Sequence, residues 1–345
     1  MDQVRLGRTG ITVNKNGFGA LPIQRITREE AVRLLRMALD AGITYFDTAR
    51  SYTDSEEKLG YAFEGCRDRL FIATKTPAKT AEGFWKDLET SLRLLRTDYI
   101  DVYQFHNPSF CPRPGDGTGL YEAMLKAREQ GKIRFISITN HSFAVAEEAV
   151  ASGLYDTLQF PFCYLATERD IRLVEQCAVA DMGFIAMKSL SGGLITNAAA
   201  AYAFAAQYPG VLPIWGVQRE RELREFIAFI DNPPAMTAEL QAVIDHDRQE
   251  LSGDFCRGCG YCMPCPAGIE INNCARMSLM VRRSPTAYWL GPEGQKKMAR
   301  IDSCLNCGRC RSRCPYGLDT PNLLRKNLAD YRRILAGEID VTTVR

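Results

Sequence analysis

The sequence lacks any apolar run of about 18 residues, so no membrane-spanning helix is expected. Its N-terminal stretch, MDQVRLGRTG, is polar and has no apolar region of the kind found in signal peptides. An excess of charge of one sign is also missing, because the net charge is only +2, which argues against a nucleic-acid-binding protein. Low-complexity segments are absent as well. These absences favour a globular, cytoplasmic protein.

Cysteine, by contrast, is plentiful, and eight of the 13 cysteines lie in two short motifs near the C-terminus. The first motif consists of Cys256, Cys259, Cys262 and Cys265 and is followed by a proline. The second consists of Cys304, Cys307, Cys310 and Cys314 and is also followed by a proline. Thiolates separated by two residues and closed by Cys-Pro are typical ligands of [4Fe–4S] clusters. The two motifs therefore predict two such clusters.

Disulfides and zinc are the alternatives for these cysteines. Disulfides fit poorly, because the chain shows no export signal and many thiols then indicate a reducing compartment. Zinc sites usually take two separated cysteine pairs, whereas each motif here is an unbroken run of four. The other five cysteines are interpreted as core or incidental thiols: Cys66, Cys111, Cys163, Cys177 and Cys274.

Ahead of the cysteine motifs, strand and helix patterns alternate, and eight strands are predicted. Strands are predicted at 17–20, 44–48, 70–75, 99–106, 133–139, 157–160, 183–187 and 213–217. Helices between them are predicted at 28–41, 82–95, 120–130, 143–152, 168–180, 198–207 and 219–230. Eight such units in about 215 residues fit a (β/α)8 TIM barrel, although a doubly wound open sheet also alternates in this way.

The segment Asp231-Asn232-Pro233-Pro234 breaks the alternation and is interpreted as a domain boundary. We therefore expect a barrel over residues 1–233 and a small, mainly helical domain over 234–345 that carries both cysteine motifs. Helical patterns in the second domain occur at 237–251, 271–283 and 322–336.

Polar side chains follow the predicted strands at the end where barrel enzymes place their catalytic groups. Asp47 ends the second strand and is followed by Tyr52, Lys75 ends the third strand, and His106 ends the fourth. A lysine cation beside a phenol lowers the pKa of the phenol, and a carboxylate holds the lysine in place. The phenol can then act as a general acid near neutral pH. The order of these residues predicts a four-residue catalytic site.

With these residues in place, residues 1–230 resemble the aldo/keto reductase superfamily. The motifs that carry the resemblance are Gly17-Phe18-Gly19, the stretch from Phe46 to Tyr52, Thr74-Lys75-Thr76, and Tyr103-Gln104-Phe105-His106. The whole chain resembles the branch of that family with a C-terminal 4Fe–4S dicluster domain of the α-helical ferredoxin kind.

The resemblance implies roles for individual residues. Tyr52 would protonate the substrate oxygen, Lys75 and Asp47 would tune Tyr52, and His106 would position the carbonyl. The nucleotide-binding residues implied by the family are Thr139, Asn140 and Gln159 at the nicotinamide, Lys188, Ser189 and Gly192 in the loop near the pyrophosphate, Val217, Gln218 and Arg219 near the adenosine 2′-phosphate, and Gly19.

Two positions depart from the family pattern. Met187 stands where a tyrosine usually stacks on the nicotinamide, and a thioether fixes a ring less rigidly. Glu222 stands where members selective for NADPH often place an arginine, and its carboxylate opposes a 2′-phosphate. Arg219 or Arg221 could still hold that phosphate. The choice between NADP and NAD therefore stays open in the sequence.

Two further questions concern the clusters. In two-cluster ferredoxins the fourth cysteine of each motif binds the other cluster, which would exchange Cys265 and Cys314 between the motifs. Arginines at 309, 311 and 313 interleave the second motif, either to compensate the charge of the cluster or to dock an acidic electron carrier.

The favoured function is transfer of hydride between NAD(P)H and a carbonyl or alcohol substrate, with two [4Fe–4S] clusters in a structural, sensing or relay role. One alternative is an electron-transfer protein that couples a ferredoxin- or flavodoxin-type carrier to a barrel-bound cofactor through the clusters. A second is a regulatory barrel that senses nicotinamide or oxygen without turnover. No nucleic-acid or membrane partner is expected.

Overall fold

A computed structural model of the chain describes residues 3–251, 255–283 and 287–341. The outer ends of the two predicted domains, at residues 1 and 345, lie outside the described residues. The strands are β1 Gln3–Arg5, β2 Thr12–Asn14, β3 Gly17–Gly19, β4 Tyr45–Asp47, β5 Phe71–Thr76, β6 Ile100–His106, β7 Ile133–Thr139, β8 Thr157–Pro161, β9 Gly183–Met187 and β10 Val211–Gly216.

The helices alternate with the strands and then continue alone. Those in the first part are α1 Arg28–Asp40, α2 Ser55–Phe63, α3 Ala81–Leu95, α4 Leu120–Glu129, α5 Phe143–Ser152, α6 Glu168–Val179, α7 Ala198–Ala206, α8 Glu220–Asp231 and α9 Ala238–Glu250. The later ones are α10 Ile271–Cys274, α11 Met277–Arg283, α12 Ala287–Leu290, α13 Pro292–Ala299, α14 Arg309–Ser312 and α15 Thr320–Leu335.

Strands β3 to β10 form a closed barrel in which each strand pairs in parallel with the next, and β10 pairs with β3. The closed parallel barrel confirms the predicted (β/α)8 fold, and the open doubly wound sheet is excluded. The predicted strands differ from the observed ones by at most two residues at either end.

The antiparallel hairpin β1–β2 and the helix α2 were not predicted. Val4 and Val13 of the hairpin are buried in one cluster with Tyr45 and Leu212, which lie near the amino-terminal ends of their strands. The hairpin therefore covers the amino-terminal end of the barrel and leaves the carboxyl end for a site.

Helix α1 buries one face. Thr27 and Glu30 form a capping box that fixes where α1 begins. Ala31, Leu34 and Leu35 are buried at helical spacing, as the sequence pattern predicted.

The chain divides into two compact units, which are Met1–Ser189 with Ala198–Ala242, and Leu190–Asn197 with Val243–Arg345. The units change at 242/243, whereas the boundary inferred from the sequence lies at 233/234. The second unit is helical, as predicted, and the long helix α15 lies at its centre. Leu324, Leu328 and Tyr331 of α15 are buried in its core. Among the described residues, no helix is long and apolar enough to cross a membrane.

Candidate active site and candidate metal centre

The parallel strands bring the predicted polar residues to the carboxyl end of the barrel. Asp47 lies opposite Gly19 on β3, and Lys75 on β5 lies opposite Gln104 on β6. His106 lies opposite Thr139 on β7, and Thr139 lies opposite Gln159 on β8. Five neighbouring strands thus contribute side chains to one end of the barrel, as the order along the sequence predicted.

Lys75 and Asp47 form a buried ion pair in which the lysine Nζ donates to both carboxylate oxygens at 2.6 Å. The same Nζ donates to the carbonyl of Thr48 at 2.5 Å. Gln104 and Gln159 donate to the carboxylate at 3.3 and 3.2 Å. Burial raises the pKa of Asp47 and lowers the pKa of Lys75, and the contact between the two groups opposes both shifts. These hydrogen bonds hold the lysine head in one place.

Tyr52 and His106 lie beside this pair. The Lys75 Nζ is 5.2 Å from the centre of the Tyr52 ring. The rings of Tyr52 and His106 are 5.8 Å apart and nearly perpendicular. Burial, with a smaller effect of the Lys75 cation, lowers the pKa of His106 to about 3, so this imidazole is neutral at neutral pH. The structure therefore brings all four predicted catalytic residues together.

Ser51 is a site residue that sequence reasoning missed. Its Oγ lies 3.1 Å from Nδ1 of His106. When the hydroxyl donates to Nδ1, the proton of the neutral imidazole is on Nε2. The neighbour of Tyr52 in the sequence can thus fix the tautomer of His106, a role that no spacing rule identifies.

A buried ion pair anchors the segment that carries Ser51 and Tyr52. Arg50 pairs with Glu56, whose side chain is fully buried on α2. Thr74 and Ser91 each donate to the Glu56 carboxylate at 2.7 Å. Because the charge of Glu56 is paired and hydrogen-bonded, it can be buried here, and the segment from Asp47 to α2 is tied to the barrel wall.

The residues implied to contact a nicotinamide differ in how much of their hydrogen-bonding capacity is already used. The Asn140 amide donates to the carbonyl of Pro108 at 2.8 Å, and its oxygen accepts two backbone N–H groups. Gln159 uses its nitrogen on Asp47, while its buried Oε1 has no partner among the described residues. The hydroxyl of Thr139 lies 3.8 Å from the sulfur of Met187. An unsatisfied buried oxygen fits a ligand amide as its missing donor.

The start of α8 holds the residues implied to lie near the adenosine end. Val217 is buried, Gln218 is half-buried and Arg219 is exposed. The Glu222 carboxylate accepts the backbone N–H groups of Gln218 and Arg219 at 3.0 and 3.1 Å. Glu222 therefore caps the helix. The sequence did not indicate this role, because Glu222 stands where NADPH-selective members of the family often carry an arginine.

The loop after β9 divides between the two units. Lys188 has a left-handed backbone, with φ of 56°, and the Ser189 hydroxyl donates to the carbonyl of Ala186 at 3.0 Å. Gly192, in contrast, groups with the second unit, where Arg276 donates to its carbonyl at 2.9 Å. The guanidinium also fills the space where a Cβ of Gly192 would lie.

The first cysteine motif lies in the core of the second unit. Cys256 and Cys262 are buried, whereas Cys259 and Cys265 are half-buried. Burial raises the pKa of Cys256, and the neighbouring thiols of Cys259 and Cys314 add to the rise. Cys314, the last cysteine of the second motif, is thus a neighbour of the first.

The second motif lines a pocket together with two cysteines of the first. The cysteines that line this pocket are Cys262, Cys265, Cys304, Cys307 and Cys310. Burial raises the pKa of Cys310, and Cys304 and Cys265 add to the rise as neighbouring thiols. Thiolate sulfur is the donor that iron–sulfur clusters require, so the residues present fit such a group.

Comparison with known proteins matches both parts of the chain to family models. The model of the aldo/keto reductase family matches residues 15–200, and that of the 4Fe-4S dicluster domain matches residues 255–319. Among curated proteins, the aldo-keto reductase YhdN of Bacillus subtilis is 30% identical over 57% of this chain and 64% of its own length. L-galactose dehydrogenase of Arabidopsis thaliana is 29% identical over 56% of this chain and 66% of its own length.

The chain thus spans just under two thirds of the length of these two relatives. Among solved structures, an aldo-keto reductase from Klebsiella pneumoniae in complex with NADPH is 25% identical, with a TM-score of 0.61. That match covers 71% of this chain and 94% of the other.

Proposed function

The chain belongs to the aldo/keto reductase family, and we propose that it reduces a small carbonyl compound, or oxidises the matching alcohol, with NADP(H). The observation that carries this proposal is the convergence of Tyr52 and His106 on the buried pair of Lys75 and Asp47. A regulatory barrel that catalyses no reaction would not need a phenol beside a buried lysine cation and a neutral imidazole.

Tyr52 is proposed as the group that gives a proton to the carbonyl oxygen. NADPH, when bound, supplies the hydride for the carbonyl carbon. The phenol donates its proton to the oxygen as negative charge develops there, and the nearby Lys75 cation stabilises the phenolate left behind. Asp47 keeps the lysine charged and oriented, because it accepts two of the lysine's hydrogen bonds.

His106 is proposed to orient the same carbonyl oxygen. A neutral imidazole donates one hydrogen bond, and Ser51 at Nδ1 leaves that donor at Nε2. Because Tyr52 lies next to the imidazole ring, the phenol and the Nε2 proton can reach one substrate oxygen. Two donors aimed at one oxygen favour the charge that forms there.

For the nucleotide we propose that Gln159 accepts a hydrogen bond from the carboxamide through its unsatisfied buried Oε1. Thr139 and Asn140 lie at the same end of the barrel. Arg219, exposed at the start of α8, is the cation that we assign to a 2′-phosphate. Since Glu222 is engaged as a cap, and a solved relative binds NADPH, we propose NADP rather than NAD.

Two [4Fe–4S] clusters are proposed in the second unit, held by all eight cysteines. The neighbours of Cys314 and Cys265 support an exchange of the fourth ligands. Cys256, Cys259, Cys262 and Cys314 would hold one cluster, and Cys304, Cys307, Cys310 and Cys265 the other. Such clusters, when bound, accept and release single electrons.

Replacement of Tyr52 by Phe tests the reductase function. With anaerobically purified protein, NADPH oxidation is followed with a panel of small aldehydes and ketones. We expect Tyr52→Phe to lower kcat/KM by about 10²- to 10⁴-fold, with the Kd for NADPH unchanged. The matched control is Tyr61→Phe, because Tyr61 lies on α2 and its ring packs against Arg28 of α1 and Arg96 after α3. Equal activity of Tyr52→Phe and wild type would refute the proposal.

A further inference from the structure

The second cysteine motif presents an exposed edge that the reductase function does not use. Leu305, between Cys304 and Cys307, is 67% exposed, and Cys307 is exposed as well. Leu305, Cys307 and Arg309 line the same pocket as the other cysteines assigned to the second cluster. A cluster ligand and a large apolar side chain are therefore accessible side by side.

Four arginines surround this edge. Arg309, Arg311 and Arg313 are exposed, and Arg325 of α15 donates to Asn306 of the motif at 3.4 Å. Among residues 3–251, 255–283 and 287–341, no carboxylate forms an ion pair with any of the four. Other arginines of the second unit do pair: Arg282 with Asp330 at 2.6 Å, Arg332 with Asp302 at 2.5 Å, and Arg333 with Glu338 at 3.1 Å.

Within the described residues, the first motif presents no such edge. Two of its cysteines, Cys256 and Cys262, are buried. Arg257, which follows Cys256, packs over the rings of Phe255 and Tyr316 at 5.2 and 5.0 Å. A cation placed on aromatic rings differs from one that points into solvent, so the two motifs present different surfaces to a partner.

We propose that Leu305, Cys307, Arg309, Arg311, Arg313 and Arg325 form a docking surface for an acidic one-electron carrier protein. This surface, called the docking edge below, rests on the proposed function only in that the second motif holds a cluster. One electron leaves the reduced carrier and enters that cluster, so the carrier is oxidised by one electron, the cluster is reduced by one, and no bond forms or breaks.

The charge and the apolar residue act at different stages of the encounter. Exposed arginines attract an acidic protein at distances up to the Debye length, which is about 8 Å at physiological ionic strength, and this raises the association rate. Leu305 offers a small apolar contact from which water is displaced, as in the small interfaces of transient redox complexes. Cys307 then lies at the contact, where the path to the cluster is short.

Compensation of the cluster charge is the competing explanation for these arginines. A compensating cation acts on the cluster whatever molecule brings the electron, whereas a docking cation acts only on a charged protein partner. Reduction by a protein and by a small reagent must therefore respond differently when the arginines are neutralised.

The test is anaerobic stopped-flow reduction of the full-length, cluster-loaded protein, followed as bleaching near ~400 nm. The electron donor is a reduced acidic ferredoxin in one series and dithionite in a second. The variant is Arg309→Gln, Arg311→Gln and Arg313→Gln together. The matched control removes three exposed charges of the same sign from α3 and α4, at Lys86, Arg93 and Lys126.

We expect the docking variant to be reduced by ferredoxin about 10- to 100-fold more slowly at low ionic strength, with a flatter salt dependence. The reduction of the docking variant by dithionite and its iron content should match those of wild type. The control variant should be reduced at the wild-type rate by both donors. Leu305→Asn should slow the ferredoxin reaction at every ionic strength, because it removes a contact that salt does not screen.

Three results of the reduction assay would overturn the proposal. They are a wild-type rate in the docking variant, an equal loss in the control variant, and an equal loss with dithionite, which would make the arginines compensating charges. Binding of the docking edge to anionic vesicles or DNA without steering of ferredoxin would also overturn it.

NADPH-dependent carbonyl reduction, measured in the same samples, separates the two proposals: its absence in wild type refutes the reductase function and leaves the docking edge standing.

Discussion

Acidification should destabilise the barrel through His106. Burial lowers the pKa of this imidazole to about 3 in the folded protein, whereas an unfolded chain has a histidine pKa of about 6.5. Between these values the unfolded chain binds one more proton than the folded chain, so stability is lost as the pH falls from about 6.5 toward about 3. At about pH 5.5 the loss amounts to about 1.4 kcal/mol.

The assay compares wild type with His106→Gln, which cannot titrate in this range. Free energies of unfolding are measured by urea at about pH 7.5 and about pH 5.5, anaerobically and with equal cluster loading. The advantage of wild type over His106→Gln should shrink by about 1.4 kcal/mol at the lower pH. An advantage that is the same at both pH values would refute the burial of a neutral imidazole at this position.

Three other sets of substitutions test the site and the clusters. Lys75→Met should lower the single-turnover rate by about 10²-fold or more with an unchanged Kd for NADPH, because the phenolate loses its cation; a rate within about twofold of wild type would contradict this role. Ser51→Ala should lower kcat/KM several-fold and Ser51→Thr restore it, since a hydroxyl at Nδ1 fixes the His106 tautomer; equal values for Ala and Thr would argue against it. Cys314→Ser and Cys256→Ser should each remove one cluster, and the double variant should lose no more iron than either alone; additive losses would show that the two cysteines serve different clusters.

The sequence predicted the barrel because strands buried on both sides appear as short apolar runs. It missed α2 for a physical reason. The buried face of that helix carries Glu56 and Lys58, whose charges are satisfied by Arg50 and by the backbone carbonyls of Ile23 and Ile26. A periodicity rule that looks for apolar residues cannot recognise a face buried in this way.

The candidate site was predictable where position along a strand decides it. Asp47, Lys75 and His106 could be placed because strand ends in a barrel meet at one rim. Gln104 and Ser51 could not, since their roles depend on the strand register and on which atom of a neighbour they contact.

Glu222 shows a further limit of sequence reasoning. A glutamate near the start of a helix either faces a ligand or caps the backbone, and only the hydrogen bonds to Gln218 and Arg219 distinguish the two. The loop at Gly192 is similar, because its contact with Arg276 joins residues that are 84 positions apart in the chain.

Deuterium transfer from the nicotinamide tests the central claim most directly. Wild-type, cluster-loaded protein reduces a carbonyl substrate with NADPH in which deuterium replaces both hydrogens on C4 of the nicotinamide. The product is analysed by mass spectrometry. Direct hydride transfer beside Tyr52 predicts one deuterium on the product carbon for each NADPH oxidised. A product carbon that carries hydrogen from water would contradict the account, because the electrons would then have travelled separately from the hydrogen.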